Sequence, residues 1–250
     1  MLKTMVAALA LSTAMVPAIA AEAMKPDAMG SDAMAPADAM KPDAMAADTG
    51  MMAGKTVQIT IQNATTGQPF SPSFFESRSA DGMPLFKLGD KASDALTAVA
   101  EGGNIGPYSV GAAKDMNATL GDAALAIHTL PGQSRTVTIH VDAQHPLIDG
   151  VWMLGNTNDG FSGFSGLNAY DLMQPMSLDV RGYDAGTEKN NEKKGYLGAL
   201  GGGNDRDPEN GVIAYHAGIR GDADAPKDWN WDVNGPVAHI TITPVPMIGG

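Results

Sequence analysis

The chain has 250 residues, of which 16 are Lys or Arg and 28 are Asp or Glu, for a formal charge of −12. That balance argues against nucleic acid as a partner, because a phosphate backbone demands a basic face. The absence of cysteine excludes disulfide staples and thiolate zinc sites, and 44% hydrophobic but only 6% aromatic residues, with 30 Gly and 16 Pro, suit a loop-rich domain better than a helical bundle.

Residues 1–20 run Met-Leu-Lys, then an apolar stretch from Met5 to Val16, then Pro17 and Ala18-Ile19-Ala20. One positive charge, a short hydrophobic core and an Ala-x-Ala step predict a signal peptide cleaved after about Ala20. The stretch is short for a membrane span, and no later segment offers an integral membrane helix. The expected location is therefore periplasmic or secreted, with no cysteine to carry a lipid anchor.

Residues 21–53 form a low-complexity linker in which Asp-Ala-Met recurs every few residues and Lys25-Pro26-Asp27-Ala28-Met29 returns as Lys41-Pro42-Asp43-Ala44-Met45. Too little bulky apolar content is present for a core, so a disordered spacer is expected. Ten of the sixteen Met precede residue 54. An alternative use is Cu(I) capture by the thioethers of Met29, Met34, Met40 and Met45.

From residue 54 to residue 250 the pattern is that of one β domain. Val57, Ile59 and Ile61 alternate with Thr56, Gln58, Thr60 and Gln62, the period of a half-buried strand. Thr136–Val141 and Val237–Thr243 repeat the device, and shorter strands are expected at 85–88, 125–130, 151–155, 176–182 and 211–215. One short helix is predicted over 91–101, with Ala92, Ala95, Leu96 and Val99 on one face, Asp90 as its cap and Gly102-Gly103 beyond its end. Many short strands with long connections imply an all-β fold, an antiparallel two-sheet sandwich.

Two loops carry unusual chemistry. Asn156-Thr157-Asn158-Asp159-Gly160-Phe161 follows one expected strand, and Asp184-Ala185-Gly186-Thr187-Glu188-Lys189-Asn190 follows another. Gly186 permits a sharp turn that can bring Asp184 and Glu188 to one side. With Asp159 at the same end of the sandwich, three carboxylates converge. Two such charges about 4 Å apart repel by roughly 4 kcal/mol at an effective dielectric near 20, and a cation removes that repulsion. Oxygen donors in flexible loops favour Ca²⁺ over Mg²⁺. The alternative is that Asp184 and Glu188 bond backbone amides in a tight turn.

Asp184-Ala185-Gly186-Thr187-Glu188, preceded by Asn158-Asp159-Gly160-Phe161 and followed by a Trp and the terminal Pro236-Val237-Ala238 strand, resembles the spondin N-terminal domain family over about residues 55 to 246. The resemblance is closest to bacterial members. It implies an eight-stranded C2-like sandwich and a calcium ion held by Asp159, Asp184 and Glu188. The sequence departs from the animal pattern in three ways: Asn158-Asp159-Gly160-Phe161 replaces a Pro-Asp-Trp, Glu188 stands where Asp is frequent, and the animal cysteines are missing. Animal members are extracellular-matrix and adhesion proteins that bind integrins or microbial surfaces.

Other motifs are weaker. Asp205-Arg206-Asp207-Pro208-Glu209-Asn210-Gly211 fails as an EF-hand because Gly falls at position 7 and His216 at position 12; Asp205 and Asp207 remain as a second weak cation site. His128, His140, His145, His216 and His239 show no metal-ligand spacing and read as structural or surface histidines. Gly160-Phe161-Ser162-Gly163 and Gly163-Phe164-Ser165-Gly166 fall short of a nucleophile elbow and read as a Gly and Ser loop beside the ion. Trp229 and Trp231 either cover the core or form an exposed platform.

The expected function is an exported, non-enzymatic, calcium-binding module that recognises a surface, matrix or glycan component, in an undetermined oligomeric state. The rival is a metal-dependent hydrolase of cell-envelope polymers with Asp159 or Glu188 as base. A C2-like lipid binder conflicts with the negative charge.

Overall fold

The three alternating segments become β1 (Lys55–Asn63), β4 (Ser134–Val141) and β10 (Ala238–Pro244), which lie side by side in one antiparallel sheet. They are seen in a computed structural model that describes residues 54–115, 117–202 and 205–246. The expected signal peptide, the expected disordered state of the Asp-Ala-Met linker and copper capture by its methionines fall outside the described residues. With β7 (Met176–Val180) the sheet order is β4-β1-β10-β7. Odd-numbered Val57, Ile59 and Ile61 point inward and are fully buried, while the opposite face carries Thr and Gln. There Thr60 lies opposite Thr136, their hydroxyls 2.8 Å apart.

The second sheet has six strands. β2 (Ser73–Arg78), β3 (Thr119–Leu125), β5 (Leu147–Met153), β6 (Gly160–Asn168), β8 (Gly182–Asp184) and β9 (Ala214–Tyr215) run in the order β3-β2-β5-β6-β8-β9. Every pairing is antiparallel. The fold is thus the expected all-β two-sheet sandwich. Ten strands are present among the described residues rather than the eight implied by the resemblance, and two short helices rather than one.

Helix α1 (Asp94–Gly102) starts later than expected, because Ser93 and not Asp90 supplies the cap: its hydroxyl accepts from the Leu96 N–H at 3.1 Å. Gly103 ends the helix in the left-handed region, φ 63°. Helix α2 (Gly106–Lys114), with Pro107 in its first turn, follows at once. Both cover the outer face of the six-stranded sheet, where Leu96, Val99 and Tyr108 meet Phe74, Val151 and Phe161. The inner face, bearing Phe75, Ile148, Trp152 and Phe164, packs against the four-stranded sheet.

Burial on both faces explains two strands that show no alternation. All six residues of β2 are buried. The glycines of β6 predict a loop, yet glycine on both paired strands makes the pairing possible: a Cβ on Gly163 of β6 would sit 2.2 Å from the Gly150 carbonyl oxygen, and one on Gly150 of β5 would sit 2.8 Å from the Phe75 ring. Phe161 and Phe164 then point to opposite sides of the sheet. The strand expected at 85–88 is a loop whose Leu85 caps the outer core, and the one expected at 125–130 lies upstream, ending at Leu125.

No helix among the described residues is long and apolar enough to cross a membrane.

Candidate functional site

The two acidic loops meet because their strands are neighbours. Asp159 immediately precedes β6, Asp184 ends β8, and the pairing sets Gly160 opposite Asp184. The first loop is held by Thr157, whose hydroxyl donates to the Leu154 carbonyl at 2.6 Å and accepts from the Gly160 N–H at 2.9 Å. In the second loop Gly186 has φ 68°, and a Cβ there would lie 2.7 Å from the Val212 nitrogen. Glycine is needed for both reasons.

Asp159 is fully buried. Its Oδ2 accepts from the Thr187 N–H at 2.7 Å, the Thr187 hydroxyl at 3.1 Å and the Glu188 N–H at 2.9 Å. Its Oδ1 is buried and finds no hydrogen-bond partner. Burial, and then the charge of Asp184, push the Asp159 carboxyl up from 3.8 to about 7, although the three donors on Oδ2 pull it back. An acceptor oxygen with no donor, beside a second carboxylate, is what a cation would relieve.

Asp184 takes part in the turn, its Oδ1 accepting from the Gly186 N–H at 2.7 Å, so the tight-turn alternative is realised at this residue. Its Oδ2 is bonded by the Asn190 side-chain amide. Glu188 is different. Its backbone N–H serves Asp159, but its own carboxylate turns to Arg206, whose Nε donates to Oε1 at 2.8 Å. Arg206 also bonds Glu101 on α1. The structure therefore brings Asp159 and Asp184 together and sends the Glu188 carboxylate into an ion pair. Among the described residues no group of three or more His, Asp and Glu side chains is arranged to hold a metal. The donors that fit a hard cation are Asp159 Oδ1 and Asp184, with the rest of a calcium shell of about six to eight oxygens left to Asn190, main-chain carbonyls and water.

Asn190 and Arg206 are the residues that sequence reasoning missed. Asn190 sits in the loop already marked, and an amide oxygen there was a readable signal; Arg206 carried none, being 18 residues beyond its partner Glu188. The second cation site is not assembled: Asp207 is paired with Lys189 at 2.7 Å and approached by Asn191.

A groove of about 680 Å³ opens beside the acidic loops, lined by Thr97, Glu101, Met153, Asn158, Glu188 and Tyr196 among others. Its volume is that of a small-ligand pocket. Trp231 is buried in the core with its ring tilted against His216, centroids 5.1 Å apart, and Trp229 packs half-buried against the core, so the pair covers the core and forms no exposed platform. His140 and His239 lie on the outer faces and bond Thr56 and Asp179; His145 bonds Asp142. Buried His216 accepts from the Gly218 N–H, and burial lowers its pKa to about 4.

Compared with known proteins, the chain matches no protein-family model and no curated sequence.

Proposed function

We propose that this chain is an exported, non-enzymatic recognition module of the spondin type, in which Ca²⁺ bound at Asp159 and Asp184 fixes the apical loops around the adjacent groove. The carrying observation is Asp159 Oδ1, buried without a donor while Asp184 stands beside it. Glu188 in this reading is a support rather than a ligand: its N–H orients Asp159 and its carboxylate anchors Arg206 at the groove wall. The resemblance of the two loops to the spondin N-terminal domain adds the ion and the surface, matrix or glycan class of partner. The signal peptide supports a periplasmic or secreted location, where calcium at millimolar levels suits a site with Kd of roughly 10⁻⁴ to 10⁻³ M.

The hydrolase alternative would need an acid that substrate can reach. Asp159 is fully buried and Glu188 is 3% exposed and ion-paired, which favours a structural ion.

Differential scanning calorimetry of the mature chain tests the reading. At 10 to 100 times Kd, Ca²⁺ stabilises by about 1.4–2.7 kcal/mol, which corresponds to a rise in Tm of about 3–10 °C for a domain of this size. Asp184→Ala abolishes that rise. A Tm that does not move between EDTA and millimolar Ca²⁺ removes the proposal.

A further inference from the structure

A second cavity lies on the outer face of the six-stranded sheet, bordered by α1, α2 and the 84–93 loop. It measures about 480 Å³, and its walls include Leu85, Phe86, Leu96, Tyr108, Ala112 and Ile213. That size falls in the range of small-molecule sites, and the walls are mostly apolar. Tyr108 contributes its ring alone, because its hydroxyl donates to the Leu85 carbonyl at 2.6 Å.

One polar side chain in the wall is out of place. Glu76, on β2, is 6% exposed, lines the cavity, and among the described residues has no hydrogen bond to its carboxylate. Its neighbours in register are Asp122 on β3 and Asp149 on β5, so it sits between two further acids in a row across the sheet. Asp149 is satisfied: its Oδ2 accepts from Arg78 Nε at 2.9 Å, the Leu85 N–H and the Ser165 hydroxyl, and its Oδ1 accepts from the Gly166 N–H.

The cations around Glu76 are committed elsewhere. Arg78 gives Nε to Asp149 and Nη1 to the Ser79 and Gly82 carbonyls. Lys91 is exposed at the rim and bonds Asn210, and Lys87 is exposed and makes no ion pair among the described residues. A carboxyl only 6% exposed, with no protein donor among the described residues, depends for its hydrogen bonds on what occupies the cavity, water or a ligand. Burial and the charge of Asp149 accordingly raise the Glu76 carboxyl from 4.5 to about 7.

We propose that this cavity binds a small organic amine, its ammonium group bonded to the Glu76 carboxylate and its apolar body packed among Leu85, Leu96 and Tyr108. The charge next to Glu76 selects the sign of the ligand. Asp149, Asp115 and Asp122 act on it against Arg78 alone, whose Nε is already given to Asp149, while the other cations of the cavity, Lys87 and Lys91, are exposed and offset there by Asp90; an anion seated at Glu76 is therefore repelled. A neutral apolar guest would leave the carboxylate without either water or a donor. A divalent ion is disfavoured by geometry, since the acids stand in a line along the sheet and no group of three converges among the described residues. Met83, 82% exposed beside the cavity, adds apolar surface at the mouth. This site is independent of the calcium reading, which involves other strands.

Titration of the mature chain with phenethylamine, 2-phenylethanol and phenylacetate, followed by amide shifts in an NMR spectrum at about pH 8 where Glu76 is ionised, tests the proposal. Phenethylamine is expected to saturate with shifts confined to β2, α1, α2 and the 84–93 loop, at least about tenfold tighter than the alcohol, as a charge-assisted bond requires. Phenylacetate is expected not to bind. Glu76→Gln should retain binding of the alcohol and lose the preference for the amine, and Ala112→Phe, which fills the cavity from α2 and leaves Glu76 intact, should abolish both. Equal affinity of the native chain for amine and alcohol, no saturation by the amine, or an amine preference that survives Glu76→Gln would each overturn it.

Discussion

Asp159→Asn separates the cost of the Asp159 charge from its use. In the metal-free protein its carboxyl titrates near 7 instead of 3.8, about 3 units higher, and each unit is worth about 1.36 kcal/mol, giving about 4 kcal/mol in all. Because the folded value is raised, the associated stability is fully present below about pH 3.8 and is lost as pH climbs through about 7. Asparagine keeps an oxygen for the Thr187 and Glu188 amides and has no charge to bury. In EDTA the variant should therefore match the native chain near pH 4 and exceed it by up to about 4 kcal/mol near pH 8. Glu76 also titrates near 7 but is common to both proteins and cancels in the difference. Saturating Ca²⁺ should stabilise the native chain alone, by about 2.7 kcal/mol at 100 times Kd, and narrow the gap by that amount. Urea unfolding followed by tryptophan fluorescence at several pH values, with EDTA and with Ca²⁺, reads both effects. A variant less stable than the native chain in EDTA near pH 8, or equal stabilisation of the two by Ca²⁺, would refute the reasoning.

Two other substitutions probe the frame of the site and of the sheet. Gly186→Ala places a Cβ 2.7 Å from the Val212 nitrogen at a φ of 68°, and should cost about 2–4 kcal/mol in chemical denaturation while weakening the calcium response. Arg78→Ala leaves the fully buried Asp149 charge without its guanidinium; the expected loss is about 3–5 kcal/mol near neutral pH, read by the same urea titration, and Arg78→Lys should recover little because the fork of donors to Ser79 and Gly82 is missing.

The legible parts of the fold were those where one face of a strand meets water. β1, β4 and β10 alternate because Thr and Gln cover the outside of the four-stranded sheet. The same rule hides β2 and β6, for a strand packed on both sides has no polar face to write into the sequence. In β6, Gly163 reads as a loop residue but is there because the Gly150 carbonyl and the Phe86 ring leave no space for a side chain. Helix α1 announced itself through its apolar face, while α2, with Gly106, Pro107 and Gly111 in its nine residues, did not.

At the acidic loops the residue types pointed to the right turns, since Gly186, Asp184 and Asp159 carry chemistry that is local. Strand alternation and turn glycines were within reach of the sequence because each depends on a handful of consecutive residues. Tertiary structure alone decided that Glu188 turns to Arg206, that Asp159 Oδ1 is left without a donor, and that Glu76 stands in register between Asp122 and Asp149. Those outcomes depend on which strands become neighbours and in what register, and register joins residues tens of positions apart that no local period relates.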